Sequence, residues 1–227
     1  MNDISLANNQ QKSKKIPFNW GTVSFLFCMF GIPSIPAIFI VLFVFAGVVS
    51  EDYVSSFINA AYYDLPVAII AHGLSGIAFF LTVPLQFSSR LRIEKPSLHK
   101  RCGYIASVSA CIMAISGVWM HLVFNSNASD ARFISLCIVA FCICSSYCTA
   151  IYFAVKRNIK RHQCWIYYAI ASSLAVVTPL FIDIFVYLLI GSFESWLNAA
   201  QSILYDYGRV IALILNLGIA YWLNEKR

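Results

Sequence analysis

The sequence predicts an all-α fold, a polytopic membrane bundle of six transmembrane helices, and two observations support this prediction. The chain is far more apolar than a soluble domain of its length, with 60% hydrophobic and 11% charged residues and a mean hydropathy of +0.74. Its apolar residues also form long runs, and a helix needs about 20 such residues to cross a hydrocarbon core of roughly 30 Å. Because the runs are continuous instead of alternating, they favour helices over a transmembrane β-barrel.

Six runs of this length divide the chain into one tail and one membrane domain. Residues 1–19 are polar, rich in Asn, Gln and Lys, and are predicted to be a disordered cytoplasmic tail. Residues 20–227 are predicted to form the transmembrane domain, which leaves no room for a second, soluble domain. The first run is too long for a signal-peptide core and is expected to be retained as a helix. The predicted helices are 22–49, 66–88, 102–124, 132–155, 164–190 and 204–223.

The first three predicted helices each carry a feature that bears on packing. Pro33 and Pro36 remove backbone donors from the first helix and are expected to kink it or unwind it locally. The second helix begins at Pro66, a residue type favoured in the first helical turn. The third helix has a stripe of small residues that lets a neighbour approach closely, which predicts a central position; the stripe is Gly103, Ser107, Ala110, Ala114 and Gly117. The eight cysteines lie within or at the ends of helices and are expected to pack as small apolar side chains, so no metal site is predicted.

The basic residues predict the orientation of the bundle. Fourteen of the sixteen lie in the tail, in the second-to-third and fourth-to-fifth connections and at the C-terminus, all on one side of the predicted membrane. The positive-inside rule therefore places both termini in the cytoplasm and indicates an integral protein of an inner, cytoplasmic membrane. The net charge of +6 follows from this topology and does not indicate nucleic acid binding. Arg90, Arg92 and Arg101 are predicted to contact anionic lipid headgroups.

Two charged residues fall inside predicted helices. Asp183 lies in the outer third of the fifth helix and Arg209 in the outer third of the sixth. In an antiparallel hairpin that turns near residue 197, position 183 should face about position 211. A lone charge at bilayer depth costs about 2.5 to 3.5 kcal/mol on insertion scales, so the two are predicted to form an intramembrane ion pair. Asp206, one turn before Arg209, is a competing partner.

The four histidines fall into two pairs at two membrane depths. His72 and His121 lie toward the outer side, whereas His99 and His162 lie at the cytoplasmic entrances of the third and fifth helices. Two such pairs are typical of a transmembrane electron carrier with two haem groups, in which neutral imidazoles are the axial ligands. His99 and His121 are, however, about 33 Å apart along one helix at 1.5 Å per residue. That separation would put two haems at opposite membrane surfaces, so one haem or none fits better.

The hairpin around these histidines resembles a known family. The relevant residues are His72-Gly73, Gly76, Pro84-Leu85-Gln86-Phe87, Leu91-Arg92 and Pro96-Ser97-Leu98-His99, followed by His162, Trp165 and Asn216-Leu217. Over most of residues 60 to 225 this pattern resembles the bacterial multi-pass membrane proteins grouped as domain of unknown function 2306. The resemblance implies a membrane fold without supplying a reaction. It also implies recurrent polar positions, with Trp165 as a packing partner; these positions are His72, Gln86, Arg92, His99 and His162.

The chain departs from that family pattern at several positions. Lys100 stands where the family usually has arginine, and the usual Gly-Arg-x-Tyr is replaced by Gly103-Tyr104-Ile105-Ala106. Tyr168 replaces an arginine expected shortly after Trp165, and another arginine is lost near Pro179. These departures weaken any anionic-ligand site that members of the family share.

The sequence leaves several functions open. The first is a membrane redox protein that binds haem b or quinone through the four histidines. The second is a protein that binds or transports a small solute or a proton in a cavity formed by the broken first helix, His72, Asp183 and Arg209. A third is an enzyme that acts on lipid headgroups with His99 or His162 as acid and base, although no nucleophile with an adjacent base identifies catalytic residues. A structural or assembly role is the fourth. For the transport function, a homodimer would make up for the small size of a single chain.

Overall fold

The computed structural model describes residues 18–47, 59–125, 130–190 and 195–226, and for residues 189–190 and 195–201 it describes the backbone alone. This part of the chain is helical and contains no strand. The helices are α1 Trp20–Ala46, α2 Ala61–Asp64, α3 Pro66–Thr82, α4 Ser89–Glu94, α5 Pro96–Phe124, α6 Ala131–Val155, α7 Ile159–Ile190 and α8 Ser195–Glu225, with a 3-10 turn at Pro84–Phe87.

Six of the described helices are long and apolar enough to cross a membrane, which confirms the predicted fold class. They are α1, α3 with the 3-10 turn that extends it, α5, α6, α7 and α8. Helices α5 and α7 begin at Pro96 and Ile159, earlier than the predicted starts at 102 and 164, because their polar first turns are helical as well. Most of the predicted tail, residues 1–17, lies outside the described residues.

The two ends of the bundle differ in charge, and we name them accordingly. The basic end carries the start of α1, the connections 83–95 and 156–158 and the end of α8, together with ten of the twelve basic residues that the structure describes. The acidic end carries the connections on the opposite side. The assignment of the basic end to the cytoplasm stays a prediction.

Consecutive helices pack on one another, and α5 lies between α3 and α6. Further contacts join α6 to α8 and α1 to α7, which close the bundle. The core receives side chains from all six long helices, and Phe79 lies at its centre, with its ring edge-to-face to Phe30 at 5.1 Å and to Tyr147 at 6.1 Å. Large apolar side chains also cover the outer surface, as expected where lipid replaces water; Phe141 is 73% exposed.

Helix α1 continues through Pro33 and Pro36 as an α-helix, so the expected local unwinding is absent. The Ser34 hydroxyl donates to the Phe30 carbonyl at 2.6 Å inside the same stretch. Prolines are tolerated in membrane helices because side chains and neighbouring helices satisfy backbone groups that lose their partner. Every cysteine lies in a helix as a free thiol.

Helices α7 and α8 pack in a register that differs from the predicted one. A Cβ atom on Gly208 would lie 3.6 Å from Pro179, and the Asn216 side chain donates to the Ala171 carbonyl at 3.3 Å. Both contacts place Asp183 roughly level with position 204, whereas the sequence prediction placed it near 211. Arg209 is therefore about five residues, or ~7.5 Å, further along the bundle axis than Asp183.

Candidate functional site

Two cavities formed by the described residues lie toward opposite ends of the bundle, and each is lined by two histidines. His99 and His162 line the cavity at the basic end, which has a volume of about 770 Å³. His72 and His121 line the cavity at the acidic end, which has a volume of about 570 Å³. The four imidazoles thus lie as two separate pairs.

The cavity at the basic end carries positive charge. Its charged lining residues are Arg92, Lys100 and Arg157, and none of the described lining residues is Asp or Glu. Residues of α1, α4, α5, α6, α7 and the 3-10 turn form its walls. Such a cavity favours a ligand with negative charge or with exposed oxygen acceptors.

Gln86 orients His99 from the 3-10 turn. With its amide turned so that every group is satisfied, Nε2 of Gln86 donates to the carbonyl and to Nδ1 of His99, at 3.2 Å each, and Oε1 accepts from the Gly103 N–H at 3.2 Å. A Cβ atom on Gly103 would lie 3.1 Å from the Gln86 amide, so a glycine gives this side chain its room. In this orientation the proton of a neutral His99 ring is on Nε2.

His162 has the opposite tautomer because it contacts a backbone carbonyl. It lies in the first turn of α7, and its Nδ1 donates to the Ala150 carbonyl of α6 at 2.8 Å. A carbonyl oxygen only accepts, so the proton is on Nδ1 and Nε2 of the neutral ring has a free lone pair. Histidines that ligate metals hold their second nitrogen in this way.

His72 is held in the same manner at the other cavity. Its Nδ1 lies 2.9 Å from the Met113 carbonyl and 3.1 Å from the Ser116 hydroxyl, both on α5. The ring fits there because Gly117 has no side chain; a Cβ atom at that position would lie 3.4 Å from the imidazole. The family resemblance gave this histidine as a recurrent polar position, and the structure adds that it joins α3 to α5.

His121 contacts the start of α6 through Nε2, so this nitrogen is not free as it is in His72. Its Nε2 lies 3.1 Å from Oδ1 of Asp130, and its side chain is only 6% exposed. Asp130 caps α6, since its carboxylate accepts the Phe133 N–H at 2.8 Å. This N–H, with a smaller effect from His121, holds the pKa of the Asp130 carboxyl below its usual range.

The predicted ion pair between Asp183 and Arg209 is not formed. Asp183 is exposed on α7, and the ion pairs among the described residues are Arg90 with Glu94 at 2.9 Å and His121 with Asp130. The prediction assumed a register for the last hairpin that the Pro179 contact with Gly208 shifts. Asp206, the alternative partner, accepts a hydrogen bond from Ser135 at its backbone carbonyl and forms no ion pair.

The three arginines predicted to contact headgroups have different surroundings. Arg92 lines the cavity at the basic end, whereas Arg90 is exposed and bonded to Glu94. Arg101 is exposed and does not line that cavity. Sequence reasoning missed Arg132, which lines the cavity at the acidic end together with Arg209. The placement of charge along the sequence could have indicated this residue, because Arg132 and Arg209 are the two basic residues that do not lie at the basic end.

The fold and the two lined cavities define a polytopic α-helical membrane protein with polar groups inside its bundle. A family model described as predicted membrane protein, domain of unknown function 2306, matches residues 69–221, so the chain belongs to this family. The matched range runs from α3 into α8 and includes all four histidines. In the comparisons with curated proteins and with solved structures, nothing matches the chain.

Proposed function

We propose that the protein is a membrane electron carrier that binds one haem b in the cavity at the basic end. The observation that supports this is a pair of imidazoles, from α5 and α7, on one cavity, with His162 bonded through Nδ1 to a carbonyl and free at Nε2. His162 and His99 would hold the haem iron. Bound haem would supply one-electron transfer, at a potential set by these ligands and by the polarity around them.

The other walls of this cavity suit the two parts of a haem. The three basic lining residues, Arg92, Lys100 and Arg157, would neutralise the propionates. Val83, Phe87 and Ile170 provide apolar surface for the ring. Coordination through Nε2 of His99 would require the Gln86 amide to turn, so that Oε1 accepts from Nδ1 of His99 in place of the hydrogen bonds described above.

The acidic end supports a second haem less well. His72 has a free Nε2, but Nε2 of His121 contacts Asp130 and the ring is stacked on Phe133 with centroids 6.0 Å apart. Coordination by His121 would break the contact between its Nε2 and Asp130. The proposal is therefore one haem at the basic end.

A quinone is the second candidate, and the orientation of Gln86 favours it. With Gln86 donating to Nδ1, His99 presents an N–H at Nε2, while His162 presents an acceptor. A donor and an acceptor on one cavity fit the carbonyl of a quinone and the hydroxyl of its reduced form. The basic side chains of Arg92, Lys100 and Arg157 would then orient the quinone head group.

The test is a reduced-minus-oxidised absorption spectrum of the protein purified in detergent from haem-supplemented cells. We expect b-type bands at about one haem per chain. His162→Ala and His99→Ala should lose most of the signal, because each removes one ligand. Gln163→Ala, which changes the cavity residue next to His162, is the matched control and should keep it.

Two results would contradict haem binding. One is a flat spectrum from wild-type protein that still shows a cooperative melting transition. The other is full haem content in both histidine variants. Solvent extraction of the same sample followed by chromatography then tests the quinone, which should be present in wild-type protein and lost in His99→Ala.

A further inference from the structure

Among the described residues, Arg132 and Arg209 bring two positive charges into the cavity at the acidic end without a carboxylate that pairs with either. Arg132 is the second residue of α6, and Arg209 lies in α8. The Nε atom of each is buried and has no hydrogen-bond partner. In the part of the chain that the structure describes, neither guanidinium forms an ion pair. The one contact of Arg132 with an aromatic ring is with Tyr205, whose centroid lies 4.0 Å below Cζ.

The two charges make each other's position less favourable. Arg209 lies in a membrane-spanning helix, where a charge is costly to bury, and Arg132 adds a second positive charge to the same cavity. Charged residues at membrane depth normally pair with one another or mark the path or site of a ligand. Two positive charges on one cavity cannot neutralise each other, so we expect this pair to bind an anion.

The described carboxylates do not supply that anion. The Asp130 carboxylate lies near enough to Arg132 to attract its charge, but it forms no ion pair with Arg132 and is engaged by His121 and by the Phe133 N–H. Asp183 is exposed on α7, and Asp206 forms no ion pair. Among the described residues, no carboxylate thus forms an ion pair with either arginine of this cavity.

We propose that Arg132 and Arg209 form a binding site for a ligand with an anionic oxygen group, a phosphate or a carboxylate. Guanidinium groups bind such oxygens through two parallel N–H donors, and both arginine side chains line this cavity. Deeper in the same cavity the walls are apolar, with Phe30, Met113 and Val139, which fits a hydrocarbon part attached to the anionic group. The site is separate from the basic-end cavity, so it does not depend on haem or quinone binding.

The experiment measures ligand-dependent melting of delipidated protein in a nonionic detergent. Three additions are compared: mixed micelles of phosphatidylglycerol, mixed micelles of phosphatidylcholine, and inorganic phosphate alone. We expect phosphatidylglycerol to raise the melting temperature of the wild-type protein and phosphatidylcholine to leave it unchanged. A rise with inorganic phosphate alone would identify a free anion as the ligand instead of a lipid headgroup, with the same two arginines.

The variants Arg209→Gln and Arg132→Gln should each weaken this response at least tenfold in ligand concentration, while Arg209→Lys keeps part of it. Arg101→Gln is the control, since it removes one exposed positive charge from the basic end. Without ligand, Arg209→Gln should melt at the wild-type temperature or above, because an unpaired buried charge has been removed.

Three outcomes would overturn the proposal. The first is an equal response to both lipids together with no response to phosphate. The second is a loss in Arg101→Gln as large as in Arg209→Gln, which would indicate general attraction to the surface. The third is an Arg209→Gln variant that melts lower than wild type without ligand, which would assign this arginine to helix packing.

Discussion

At the scale of the residue, small side chains decide where polar groups can enter the bundle. Gly73 follows His72 directly and faces α1, where a Cβ atom would clash with Cγ2 of Val41. The buried glycine therefore sets the distance between α3 and α1. His72 itself turns to α5, where Gly117 leaves room for its ring. One helix thus makes two close approaches at adjacent positions.

Gly73→Ala should destabilise the protein by about 1–3 kcal/mol, because the added methyl overpacks the contact with α1. Val41→Ala in the same chain should recover part of this loss by removing the clashing atom. Thermal melting of the two single variants and the double variant in detergent measures the coupling.

Gly218→Ala is the control for the same chemical change in open space, since nothing lies within 4 Å of its added Cβ atom. It should be neutral or stabilising by up to about 1 kcal/mol, because alanine favours helix. Strictly additive effects of Gly73→Ala and Val41→Ala would contradict the proposed contact.

At the scale of the element, the ends of the helices position the candidate site. Pro66 and Pro96 occupy the first turns of α3 and α5, and Ser88 caps α4 by accepting the Leu91 N–H at 3.2 Å. The short α4 and the 3-10 turn before it hold Arg92 and Gln86 over the cavity at the basic end. At the other end, Asp130 both caps α6 and holds His121.

Asp130 should make the stability of the protein depend on pH. Its folded-state pKa is below the usual value, so the ionised carboxylate stabilises the fold above the usual pKa, and this contribution is lost as pH falls through the lower, folded-state pKa. Wild type should therefore melt above Asp130→Asn at neutral pH, and the difference should shrink in acid. Melting temperatures of both proteins between pH 7 and pH 3 test this.

Asp130→Ala separates the cap from the charge, because asparagine can still accept the Phe133 N–H and alanine cannot. The alanine variant should melt below the asparagine variant at every pH. A constant difference between wild type and Asp130→Asn across the range would show that the charge is not involved.

At the scale of the whole molecule, charge is distributed unevenly between two ends. Ten of the twelve basic residues that the structure describes lie at the basic end, and the other two line one cavity at the acidic end. The first group follows the positive-inside rule, and the second departs from it. The departure is informative because a basic residue away from the basic end has no role in orientation to explain it.

The basic end should face the cytoplasm. In a bacterial host, a fluorescent protein fused after Arg227 should fluoresce, and alkaline phosphatase fused within residues 126–129 should be active. Phosphatase fused at Asn158, in a basic-end connection, should be inactive. Active phosphatase at Asn158 together with a dark C-terminal fusion would reverse the orientation.

The sequence by itself determined the fold class and the division of polar groups between two membrane depths. Six apolar runs predicted six helices, because a helix that crosses lipid must satisfy its own backbone and needs a fixed length to do so. The depth of each histidine followed from its place in a run. His99 and His162 were thus expected near one end, and His72 and His121 toward the other. These are properties of one helix at a time, and local sequence is enough to give them.

Only the tertiary structure decided which side chains meet. The rotation and register of each helix depend on contacts such as Pro179 with Gly208, and a sequence pattern does not fix them. For that reason the pairing of Asp183 with Arg209 was wrong, and the approach of Arg132 to Arg209 was missed. The protons of His72 and His162 were likewise set by carbonyls on neighbouring helices. Partners across a bundle come from long-range packing, which the order of residues along the chain does not specify.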